Sequence, residues 1–184
     1  AACCTGGKVR ANLVKQFVDG VFTTHTALML DDYTDAPGNR GIQLCRLDKI
    51  ENAVKEAHKR DLSIKIHAIG DRAIRFTLDC YEGAIKAYGR NRARHAIEHI
   101  ELVSDEDVQR FRELEIIPSV QPEHLGLMPT WDGEEYRYVL GEERAGQTWR
   151  FKTLLDTAGV IALGSDCPVV DNNPFFAIHR GVTR

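Results

Sequence analysis

The sequence predicts an α/β protein built on a parallel sheet, either doubly wound or closed as a barrel. Two observations carry this. Five β-like runs alternate with helical segments along the chain, and repeating βα units put their strands in parallel. No second compositional zone and no low-complexity segment breaks the series, so residues 1–184 read as one domain. No glycine-rich phosphate loop follows a strand, which lowers the nucleotide-binding reading.

The elements follow in order. Leu13 to Val18 is a short apolar run ended by Asp19-Gly20. A polar loop comes next, with Asp35-Ala36-Pro37-Gly38-Asn39 as its turn signal. Leu47 to Arg60 is helical, because Leu47, Ile50, Val54 and Ala57 share a face, and Asp48 suits the dipole at its start. Leu62 to His67 is the second strand. Gly70-Asp71 opens a helix to about Tyr88, striped by Ile74, Leu78 and Ile85, and Asp71 is expected to cap it. Ala93 to His99 is the third strand. Ser104 starts another helix and, with Asp107, resembles a capping box. Ile116 to Val120 is the fourth strand, stopped by Gln121-Pro122. Glu123 to Gly146 is long, polar and bears Trp and Tyr, a candidate substrate loop. A helix over Gln147 to Thr157, a strand over Val160 to Leu163 and a helix from Asn173-Pro174 complete the pattern.

Composition narrows the function classes. Hydrophobic content of 43% and charged content of 28% are ordinary for a soluble globular protein. A formal net charge of -3 offers no broad attraction for nucleic acid or anionic membrane, and the run Arg90, Arg92 and Arg94 reads as a solvated loop and strand entry. No apolar stretch approaches a membrane span. The N-terminal AACCTGGKVRANL has no apolar signal core and does not begin with Met, which points to a natural start elsewhere. The five cysteines are odd in number and form no CxxC pair, so a reduced, cytoplasmic protein is expected. Cys167 reads as a small buried residue in a tight turn, not a nucleophile.

The chemistry gathers at three strand ends. His67, His99 and Asp166 close the runs LSIKIHAIGD, ARHAIEHIE and VIALGSDCPV. Imidazole nitrogen and carboxylate oxygen are ligands for zinc and similar divalent ions. In parallel β/α barrels, reactive side chains stand at the C-terminal ends of the strands. The wide spacings suit donors on different strands, not a local metal finger. Strand alternation puts His95 and His99 on one face, with Ile97 between them. Asp166 shares a face with Gly164 and Ala162, small residues that leave room at a crowded axis. His67 shares its face with Lys65, which demands either a partner carboxylate or an irregular strand, since an unpaired interior Lys is costly.

The strings VKQFVDG, IHAIGDRA, RHAIEHIE, PSVQPEHL and GSDCPV stand in the order found in the amidohydrolase superfamily. The chain most resembles amidohydrolase family 3, the branch that includes N-substituted formamide deformylases, from about Val9 to Arg184. The resemblance implies a (β/α)₈ barrel with one or two divalent ions, zinc first among them, hydrolysing the amide or formamide C–N bond of a small molecule. Position by position, Lys15 matches the family's fourth-strand lysine, often carbamylated. His67 matches the fifth-strand ligand, His99 the sixth-strand ligand and Asp166 the eighth-strand aspartate. Asp166 would then also orient the water and take its proton as general base. His124, in QPEH, would contact substrate from the seventh strand's loop or stand as a solvent-exposed loop histidine, and His95 would be packed deeper in its strand.

The family's HxH pair occurs nowhere in this sequence, and its first three barrel units have no counterpart. The expectation is therefore a partial (β/α) TIM-type barrel, about strands four to eight, with an incomplete metal site. A full barrel typically needs ~200 residues or more. Two open strand edges invite homo-oligomer contacts or cover by the N-terminal segment. The alternative class is a non-catalytic truncated barrel, or interaction protein, that keeps the architecture without turnover.

Overall fold

Among the described residues five strands lie side by side in chain order and all neighbours run parallel: β1 Leu13–Phe17, β2 Ser63–Ala68, β3 Ala96–His99, β4 Ile117–Val120 and β5 Ala162–Leu163. The structure, a computed structural model, describes residues 12–127 and 134–183. The helices are α1 Leu47–Lys59, α2 Asp71–Tyr88, α3 Asp105–Glu113, α4 Glu134–Gly146, α5 Phe151–Ala158 and α6 Pro174–Thr183. Two 3₁₀ segments, Phe22–Thr24 and Pro122–Leu127, follow β1 and β4. Unbroken strand order with intervening helices is the arrangement right-handed crossovers produce, and it is a partial TIM-type barrel.

The core lies between one face of the sheet and the helices. Ile50 and Val54 of α1 and Ile74 and Leu78 of α2 are buried against Ile64, Ile66 and Ile97 from the strands. Each such side chain contributes ~1.5–3 kcal/mol by leaving water. Tyr81 on α2 donates its hydroxyl to the carbonyls of Ile64 and Ala96 at 3.2 and 2.9 Å, fastening the helix across β2 and β3. Lys15 and Lys65 are register partners on the other face, where His67 pairs with Glu98. Glu98 is the carboxylate that Lys65 requires: it lies 3.6 Å from the Lys65 ammonium and also contacts Lys15.

Several local expectations need correction. The polar segment expected as a loop is largely helical, as the 3₁₀ segment and α4, with residues 128–133 outside the described set. Its second half is held by burial of Tyr136, Val139 and Leu140. The helix expected from Gln147 begins at Phe151, because Thr148 forms an antiparallel bridge with Leu102 first. Ser104 makes no side-chain cap; its hydroxyl donates to the Asp107 carboxylate at 2.8 Å, which also takes Arg75. Asp71 is the first residue of α2, and one oxygen accepts the N–H groups of both Arg72 and Leu30 at 2.8 Å. Cys167 is exposed, not buried. Cys3, Cys4 and the N-terminal segment expected over a strand edge lie outside the described residues. Among the described residues no helix is long and apolar enough to cross a membrane.

Candidate metal centre

At the C-terminal ends of the strands, a cavity of about 470 Å³ is lined by His67, His99, Glu101, His124 and Asp166. His67 ends β2. Its Nε2 lies 3.1 Å from the Gly20 carbonyl, an acceptor only, so that nitrogen carries the proton and Nδ1 keeps its lone pair. Burial lowers its pKa to about 4, and the Gly20 bond only partly offsets this, so the ring is neutral near pH 7. Asp19, from the turn after β1, stands 3.6 Å behind it. That buried carboxyl accepts the N–H groups of Leu28, Ile69 and Gly70 at 2.8, 3.1 and 2.9 Å, which fixes the loop that follows β2.

His99, the last residue of β3, reaches the same space where the strand turns away. Alternation alone would leave it with His95, whose ring stacks on Tyr81 at 5.0 Å in the helix layer. His99 and Ile100 instead adopt left-handed backbone, with φ of 76° and 55°. The His99 ring then lies 4.3 Å from that of His67. Burial, reinforced by the neighbouring His67 and His124, lowers its pKa to about 2. Alternation fails at Asp166 as well: β5 ends at Leu163 and Asp166 itself has φ 55°.

His124 sits in the 3₁₀ segment after β4, and its ring lies 5.6 Å from that of His99. Burial holds it below the usual imidazole range, with Asp166 opposing. Glu101, two residues past His99, is buried; Tyr136 donates its hydroxyl to the carboxyl group, and burial pushes its pKa up to about 8.

One ligand atom from each of His99, Glu101 and His124 lies within 4.8 Å of the others. Two ring nitrogens in this group, Nδ1 of His99 and Nε2 of His124, are buried without a hydrogen-bond partner. Buried polar atoms are rarely left so. Two neutral imidazoles and a carboxyl group, nearly converged and partly unsatisfied, fit a divalent cation held at ~2.0–2.2 Å.

The structure thus gathers His67, His99, His124 and Asp166 around one cavity. Lys15 lies on the adjoining sheet face, paired with Glu98 and 4.9 Å from the Phe17 ring centroid. Burial lowers its pKa, Asp166 counters this and Lys65 adds to it. Glu101 was missed from the sequence. Its signal was a second glutamate beside Ile100, Leu102 and Val103 in IEHIELV, where a carboxyl is buried only for a reason.

A sequence profile of the amidohydrolase family matches residues 4–184. The chain is 38% identical over 172 residues to Protein LONG AFTER FAR-RED 3 of Arabidopsis thaliana, covering 93% of this chain and 29% of that protein. It is 26% identical over 181 residues to the putative amidohydrolase YtcJ of Bacillus subtilis, covering 98% of this chain and 33% of that one. Among solved structures it resembles an uncharacterized metal-dependent hydrolase from Pyrococcus furiosus, with a TM-score of 0.83 and 32% identity. That match covers 98% of this chain and 36% of the other. The chain therefore spans about a third of the length of the curated relatives it matches.

Proposed function

The chain belongs to the amidohydrolase family, and from that premise we propose that it carries part of the centre of a zinc-dependent hydrolase cleaving amide or formamide C–N bonds. In this reading His99, Glu101 and His124 hold the ion, with His67 and Asp166 bordering it and Lys15 supplying a further oxygen donor if carbamylated. The observation that carries it is the pair of buried, unpartnered ring nitrogens beside the Glu101 carboxyl group. Neutral imidazoles with a carboxylate are a zinc donor set.

When bound, the ion would polarise a carbonyl and acidify a coordinated water. The chain's own residues do the rest. The Gly20 carbonyl fixes the His67 tautomer, so that Nδ1 keeps its lone pair as an acceptor beside the ion. Asp166 accepts the proton of the water that adds to the carbonyl carbon and returns it to the departing nitrogen. A C–O bond forms, the C–N bond breaks, and a carboxylic acid and an amine leave. Phe22, Tyr136 and Trp149 wall the cavity, with Phe22 edge-on to Tyr136 at 5.3 Å and Tyr136 stacked on Trp149 at 6.1 Å. This apolar wall excludes bulk water and strengthens electrostatic contacts inside. Small N-substituted formamides are the proposed substrates.

Because the chain spans about a third of its curated relatives, the full activity is proposed for a polypeptide in which further donors, an HxH pair among them, join those named here. The test compares the 184-residue chain with a chimera joining it to the segments of the Bacillus subtilis relative that it does not match. Zinc content by elemental analysis and hydrolysis of an N-formyl amine panel are read on both. Weak zinc binding with little turnover is expected for the chain, and stronger binding with turnover for the chimera. Absence of zinc from both would overturn the reading.

A further inference from the structure

A second cavity, of about 500 Å³, opens at the other end of the sheet, where β3 and β4 begin. Its floor includes His58 and His95, both 3% exposed. Its rim carries Arg90, Arg92, Arg94 and Arg112, against one lining carboxylate, Glu115. This concentration of cations stands on a chain whose formal net charge is -3.

The use made of those four arginines is uneven. Arg90 donates to the Glu113 carbonyl at 2.6 Å, at the C-terminal end of α3, and lies 3.4 Å from Glu115. Among the described residues the guanidinium groups of Arg92, Arg94 and Arg112 make no hydrogen bond or ion pair. Nearby helices treat their cations differently. Lys59 and Arg60 pair with Glu56, and Arg110 pairs with Asp79, Glu82 and Asp107. Three unpaired guanidiniums beside one concavity hold forks of N–H donors that match phosphate oxygens.

The floor is polar but already satisfied. The Ile64 N–H donates to His95 Nδ1 at 3.3 Å. His58 Nε2 lies 2.8 Å from the Gly89 carbonyl, which only accepts, so His58 Nδ1 is left to accept from His95 Nε2 at 2.9 Å. Every ring nitrogen of the pair is used. The histidines therefore hold the floor rigid, and recognition falls to the arginines. A volume of about 500 Å³ lies in the range of small-molecule sites.

We propose that this cavity binds the diphosphate group of a small phosphorylated molecule through Arg92, Arg94 and Arg112, at the end of the sheet remote from the candidate metal centre. A multivalent anion is favoured over a monovalent one, because only it engages several guanidiniums at once. The site stands on its own residues and does not depend on the hydrolase reading.

The experiment is isothermal titration of metal-free 184-residue protein with inorganic pyrophosphate, at low ionic strength and again in high salt. Removing metal excludes coordination at the other site. Saturable one-to-one binding is expected, weakened by salt and weakened at least ~10-fold in the triple variant R92Q/R94Q/R112Q. These side chains are exposed, so circular dichroism should report an unchanged fold. A second variant, K49Q/R72Q/K152Q, removes the same charge elsewhere and should bind like the parent. No saturable binding, equal weakening by the two variants, or equally tight binding of citrate would each overturn the proposal.

Discussion

His67 and His99 stand with their ring centroids 4.3 Å apart, although neither is the other's cross-strand partner. The register pairs His67 with Glu98 and Ala68 with His99. Left-handed backbone at His99 and Ile100 turns the end of β3, and this brings the His99 ring beside His67 while Ile97 stays in the helix layer. A conformation that non-glycine residues adopt at a cost is typically kept where surrounding structure enforces it, and such sites are often functional.

If His99 and His124 hold the ion, replacing either with alanine removes a donor outright. Zinc affinity should then fall by more than the ~10–100-fold typical of losing a partner that only orients a ligand. His95→Ala, in the helix layer, should leave zinc affinity within that smaller range or unchanged. Competition titration with a chromogenic chelator reads all three variants, and equal losses at His95 and His99 would refute the assignment.

Glu101 gives a pH prediction. Burial raises its folded pKa to about 8 from the ordinary 4.5. Between these values the folded chain holds a proton that the unfolded chain has released. Metal-free stability from this group is therefore fully present below pH 4.5 and is lost as pH rises through 8. Glu101→Gln mimics the protonated form and has no such loss. The stability difference, variant minus parent, should grow from pH 5 to pH 8 in urea unfolding, and the histidine titrations cancel in it. A flat difference would mean that Glu101 is ionised in the metal-free fold.

Asp19 is the buried anchor of the site. Three backbone N–H groups donate to it, two of them from the turn that follows His67. Asp19→Ala would leave these donors unsatisfied, at a cost on the order of 3 kcal/mol or more. It should also weaken zinc binding, because the turn after β2, whose Ile69 lines the cavity, loses its anchor. Chemical unfolding and zinc titration of the variant check both effects; a loss below ~1 kcal/mol would contradict the anchoring role.

The βα order, the helix spans of α1 and α2 and the clustering of His67, His99 and Asp166 were legible in the sequence because each rests on local pattern. Strand parity was not enough for His99 and Asp166, since left-handed backbone overrides alternation, and nothing in the residue type announces it. The sequence marks Gly70 only as a helix opener. Its φ of -78° needs no glycine, but an added Cβ would fall 2.0 Å from the Leu28 carbonyl oxygen, a close approach made by a distant loop. Glu101 and His124 join the cavity through tertiary packing, one by burial against Tyr136 and the other by stacking near His99. The capping box failed because Asp107 is drawn to Arg75 and Arg110.

The sheet edges supply a fourth prediction. β1 carries exposed Leu13 and Phe17, and β5 carries exposed Leu163. Among the described residues neither edge has a further partner strand, and edges with apolar side chains promote pairing between chains. The 184-residue chain should therefore self-associate in sedimentation velocity at micromolar concentration, and Leu13→Lys should reduce the association. A monomer at every concentration would contradict it.

The central claim, that His99, Glu101 and His124 share one ion, is tested most directly by anomalous diffraction at the zinc edge from crystals grown with zinc. The account predicts an anomalous peak within ~2.0–2.2 Å of donor atoms from these three residues. Full zinc occupancy elsewhere, with the His99 and His124 nitrogens still unpartnered, would contradict it.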